Sequence, residues 1–100
     1  MSSTSIDIPV ERIAEVCRRY GVKELSVFGS AVRRELRANS DVDLLVDFEP
    51  EARIGLVKFA DLNQELEEIL GRRVDLVTKS GLKPRVRPEV LREARVVYSA

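Results

Sequence analysis

No histidine and no tryptophan occur among the 100 residues, and cysteine and methionine occur once each. Without an imidazole, neither metal binding nor proton transfer near neutral pH can fall to histidine, so general-base work passes to a carboxylate. The lone Cys17 forbids an internal disulfide, and its place beside Ile13, Ala14 and Tyr20 on one helical face predicts a buried thiol rather than a reactive one. Charge of one sign is also lacking: 17 Lys and Arg balance 17 Asp and Glu. A net charge of zero gives no general attraction for nucleic acid or an anionic membrane, so nucleic acid is not the expected partner. No apolar run is long enough to span a bilayer, and Met1-Ser2-Ser3-Thr4-Ser5 has neither the charged start nor the apolar core of a signal peptide. The expectation is a cytoplasmic protein without a membrane partner. Its length suits one domain, enough to bury roughly 60 to 70% of the unfolded surface and to fold without staples.

What the chain does contain is concentrated in Gly29 to Phe48, GSAVRRELRANSDVDLLVDF. Leu25 to Phe28 alternates and stops at Gly29-Ser30, which predicts a strand entering a tight turn. Ala31 to Arg37 holds good helix formers, so Ser30 lies at a helix start, where unpaired N–H groups and the positive end of a dipole attract anions. Gly29 lets another molecule approach the backbone closely. After the turn residues Ala38-Asn39-Ser40, Asp41 to Phe48 reads as a second strand. Asp41 and Asp43 then share one face, with alpha carbons about 6.6 Å apart at roughly 3.3 Å per residue. Two acids so close repel, and a chain that sets them among Val42, Leu44, Leu45 and Val46 compensates with a cation. Oxygen-only ligands suit Mg²⁺ or Mn²⁺, so anion turn and acid pair together describe a metal-bound triphosphate. An EF-hand reading fails because Leu45 and Val46 stand where a ligand and a glycine are needed. Asp47 lies on the same face but about 13 Å beyond Asp41, too far to share its metal.

Around this motif the periodicity predicts supporting elements. Residues 1–6 are small and polar and are expected to be disordered, leaving 7–100 as the domain. Asp7 and Pro9 mark a helix start, Val10, Ile13, Ala14, Cys17 and Tyr20 form its apolar stripe, and Gly21 ends it. Leu56, Phe59, Leu62, Leu66, Ile69 and Leu70 predict a helix over 56–70 with Gly71 as its C-terminal cap, and Asp61, Glu65, Glu67 and Glu68 as a solvated acidic face. Val74, Leu76 and Val77 predict a third strand carrying Asp75. Lys79-Ser80-Gly81 is a turn, Lys83 to Arg87 a basic connection, Pro88 opens a short helix, and Val96-Val97-Tyr98 forms an edge strand. Strands at about 25–28, 42–48 and 74–78 give an α/β (α+β) domain, one mixed sheet with packed helices.

Gly29-Ser30, ten residues, then Asp41-Val42-Asp43 resembles the signature of the DNA polymerase beta type nucleotidyltransferase superfamily, and within it the minimal nucleotidyltransferases. Arg33, Ser40 and the run Asp43-Leu44-Leu45-Val46 match the small-family pattern, Asp75 supplies the expected third carboxylate, and the resemblance spans residues 9 to 98. It implies that Asp41, Asp43 and Asp75 are catalytic and hold two Mg²⁺ ions (or Mn²⁺), that Gly29 and Ser30 bind the beta and gamma phosphates of ATP, and that Arg33 either touches phosphate or braces the active-site strand. Arg34 and Arg37 read as solvated. The resemblance further implies an antitoxin that attaches AMP to a tyrosine of a partner HEPN toxin. The alternative is a non-catalytic nucleotide-binding antitoxin, or interaction module, acting by stoichiometric contact.

Overall fold

Two apolar strands at the centre of the chain set the architecture. The computed structural model describes residues 8–29 and 41–100. Along these, helix α1 (Val10–Arg19) leads into strand β1 (Val22–Phe28). Strand β2 (Val42–Phe48), helix α2 (Leu56–Leu70) and strand β3 (Val74–Thr78) follow. A 3₁₀ turn at Lys79–Gly81, helix α3 (Arg87–Glu93) and strand β4 (Arg95–Ser99) complete the order. The four strands make one sheet in the order β3-β2-β1-β4. β1 is antiparallel to both β2 and β4, whereas β2 and β3 are parallel. A parallel pair needs a long crossover, and α2 provides it.

Register decides which side chains the helices cover. Leu25 pairs with Val46 and Val27 with Leu44, so these four share a sheet face with Val22 and Val42. Ile13, Val16 and Cys17 of α1 and Leu62 and Leu66 of α2 close over that face to form the core. Burial pushes the Cys17 thiol up to about 12, so it behaves as a small apolar side chain. β2 carries its acids on the opposite face, with Asp43 half-buried between the buried Val42 and Leu44 and Asp47 half-buried beside the buried Val46.

Several expectations are corrected. β1 starts at Val22 rather than Leu25, since ladder pairing with Phe48 holds it where alternation is weak. Val16 joins the buried stripe of α1, while Val10 is 58% exposed and Leu56, at the head of α2, is 89% exposed. Periodicity reports which face of a helix turns inward, not how far along its axis the partner surface reaches. Gly71 does cap α2 in the left-handed region at φ 67°.

The acidic face of α2 is not uniformly solvated. Arg19 Nη2 lies 2.7 Å from Glu65 Oε1, and the Tyr20 hydroxyl donates to Glu65 Oε2 at 2.5 Å, tying the end of α1 to α2. The Glu65 carboxyl is held below its usual range by its bonds to Arg19 and Tyr20, and the Tyr20 phenol is pushed up to about 12, chiefly by its bond to Glu65. Glu67 Oε2 accepts from the Val74 amide at 2.9 Å, pinning the start of β3 to α2. Asp61 and Glu68 alone of the four are exposed.

Candidate active site

Parallel register between β2 and β3 places Val42 beside Val74, Asp43 beside Asp75 and Leu44 beside Leu76. Adjacent strands lie about 4.8 Å apart and register partners point to the same side, so Asp43 and Asp75 project together from the face opposite the core. Asp43 is half-buried and Asp75 exposed. On the other flank Phe28, the last residue of β1, pairs with Asp43. The chain therefore leaves β1 through Gly29 directly beside that carboxylate. Gly29 takes φ 76°, and a Cβ built there would strike Asp43 Oδ2, with the carboxyl carbon only 3.2 Å away. Two independent constraints thus disfavour a side chain at this turn.

Asp41 sits just ahead of β2, at the same end. The Val42 amide donates to the Arg73 carbonyl at 2.8 Å, and Arg73 Nε lies 3.5 Å from Asp41 Oδ1. Both side chains are more than half exposed, so the ion pair is weak and readily exchanged. Ser30 and Arg33, with Arg34 and Arg37, lie outside the described residues.

One participant was not singled out in the sequence. Glu93, the last residue of α3, accepts a hydrogen bond from the Gly29 amide at 3.2 Å. At a separation of 64 positions in the sequence, no local pattern links the two. The available signal was electrostatic, a carboxylate in the last turn of a helix, where the dipole disfavours it.

Carboxylates ranged along one sheet end repel a phosphate unless a cation intervenes. Among the described residues no group of three or more His, Cys, Asp or Glu is gathered at metal-binding distance. The donor set still fits a hard cation, because Mg²⁺ is commonly held by one or two carboxylates plus substrate phosphates, and Asp43 and Asp75 supply two oxygen donors on adjacent strands.

The nucleotidyltransferase domain family matches residues 10–97, which is most of the chain. The chain belongs to this family. Over 84 residues this nucleotidyltransferase is 54% identical to the protein adenylyltransferase MntA of Thermococcus cleftensis, a match covering 84% of this chain and 81% of that protein. A solved minimal nucleotidyltransferase is 46% identical and superposes with a TM-score of 0.73 over 86% of each chain. The same fold recurs at 18% identity and a TM-score of 0.65 in the complex of a tri-AMPylated HEPN toxin with its MNT antitoxin, from Shewanella oneidensis, covering 91% of this chain and 70% of that one. In this nucleotidyltransferase the parallel pair of β2 and the edge strand β3 presents Asp43 and Asp75 beside a turn whose left-handed backbone favours glycine.

Proposed function

We propose that this nucleotidyltransferase moves AMP from ATP to a tyrosine hydroxyl of a HEPN toxin in the cytoplasm, depends on Mg²⁺, and thereby acts as an antitoxin. The observation that carries the reading is the in-register pairing of Asp43 with Asp75 beside the Gly29 turn. Likeness to a protein adenylyltransferase at 54% identity supports AMP as the transferred group.

Asp43 and Asp75, joined by Asp41 once it releases Arg73, would hold the metal. Bound there, Mg²⁺ would supply charge neutralisation for the phosphates and make the acceptor hydroxyl more acidic. The Gly29 amide, with Ser30, binds and orients the beta and gamma phosphates. Asp75, the more exposed acid, faces the acceptor and takes the hydroxyl proton. The acceptor oxygen forms its bond to the alpha phosphorus as the bond from that phosphorus to the bridging oxygen breaks, and pyrophosphate leaves with the electron pair.

The test is incubation with alpha-labelled ATP, Mg²⁺ and a HEPN toxin, read by transfer of label and by mass spectrometry of the modified residue. AMP on a toxin tyrosine, abolished by EDTA and restored by Mg²⁺, is the expected result. Toxin neutralised in EDTA as fully as in Mg²⁺ would make contact, rather than transfer, the mechanism of protection.

A further inference from the structure

Glu93 places a carboxylate on the one backbone amide of the described turn that the proposed function assigns to phosphate. The Gly29 N–H is an anion-seeking donor at the mouth of the site, and Glu93 Oε1 accepts from it at 3.2 Å. Gly29 in turn lies against the Asp43 carboxylate. A phosphate oxygen bound to that amide and the Glu93 carboxylate would occupy the same place with the same sign of charge. Glu93 closes α3 and immediately precedes the short link to β4. The carboxylate therefore reaches the turn from an element on the far side of β1 from Asp75, since β4 flanks β1 opposite β2. It contributes nothing to the Asp43 and Asp75 pair by register, and its position at a helix C-terminus works against the dipole.

We infer that Glu93 is an internal stand-in for phosphate on the Gly29 amide, which the nucleotide must displace, so that Glu93 sets the affinity for ATP from outside the acid pair. The inference rests on the nucleotide reading above. It makes Glu93 a positioning residue. In the empty site it keeps the turn amide bonded and aligned, at the expense of binding strength, because the incoming triphosphate replaces one charge-assisted bond rather than filling a vacant donor.

Glu93→Gln separates these roles, since the amide oxygen can still accept from Gly29 while the charge is gone. Titration calorimetry with Mg²⁺-ATP on the full chain should give a dissociation constant lower by about three- to tenfold, the scale of one partly exposed charge interaction. KM for ATP in the transfer assay should fall in parallel. Glu89→Gln, an exposed acid on the same helix, should bind like the parent and so exclude an effect of net charge. A merely structural role predicts the reverse sign, with weaker binding and a lower melting temperature. If the parent binds Mg²⁺-ATP and a folded Glu93→Gln binds no tighter, the inference falls and the nucleotide reading stands. If neither binds, both fall. The unaltered chain offers a second check: the Glu93 side-chain carboxyl resonance should shift on saturation with Mg²⁺-ATP, and a resonance that stays put overturns the displacement.

Discussion

Gly29 answers two demands at once, a backbone at φ 76° and room for the Asp43 carboxylate. Gly29→Ala meets both penalties. The left-handed conformation alone costs about 1–3 kcal/mol, and the methyl group forces the Asp43 carboxylate out of its place beside the turn. We expect a melting temperature lower by several degrees and transfer reduced by about a hundredfold or more, checked by thermal unfolding and the labelled-ATP assay. Glycine at this point was legible from sequence because a strand ended there, whereas Glu93, its hydrogen-bond partner, was not. At the C-terminal end of α1, Tyr20 and Glu65 tie stability to pH. The Tyr20 phenol is raised from 10.0 to about 12 in the folded chain, so its contribution is whole below pH 10 and is lost as pH rises through about 12. Glu65 is lowered, so its contribution is present above the ordinary carboxylate range and is lost as pH falls through its folded value. Tyr20→Phe should lower stability at neutral pH and remove its share of the loss between pH 10 and 12, as read from urea unfolding at a series of pH values. A variant that retained the parent's alkaline slope would contradict the Tyr20 to Glu65 bond as its source.

At the scale of elements, the bounds of α2 and β3 follow the sequence pattern residue for residue, since each is delimited by its own chemistry: Gly55 and Gly71 around the helix, Arg73 and the Lys79–Gly81 turn around the strand. Helix depth was less legible. Leu56 and Leu66 have the same residue type on one predicted stripe, yet Leu66 is fully buried and Leu56 89% exposed. Leu66→Ala should therefore cost about 2–5 kcal/mol, while Leu56→Ala should stay within about 0.5 kcal/mol. Denaturant unfolding of the pair tests where α2 meets the sheet. The acids of α2 hid a second role. Glu67 takes the Val74 amide one residue ahead of Asp75, so Glu67→Ala should loosen the start of β3 and lower kcat more than it raises KM.

For the whole molecule, the sequence spacing made Asp41 and Asp43 neighbours along one strand but could not say which strand would lie beside them. The crossover through α2 settles that by laying β3 parallel to β2, which brings Asp75 from 32 residues away into register with Asp43. No three acids among the described residues are yet gathered, and Asp41 is turned to Arg73. The in-register pair at the sheet end is the part of the proposed three-acid site that the sheet itself positions. The measurement that tests this most directly is the transfer rate of Asp43→Asn, Asp75→Asn and the double variant, in a single turnover with saturating Mg²⁺-ATP and with folding verified by melting. Groups that act as one unit lose most of the rate on the first removal. Each single variant should fall by about a hundredfold or more, and the double variant should be little slower than the worse single. Full activity in either single variant, or losses that simply multiply in the double, would contradict a shared Asp43 and Asp75 site.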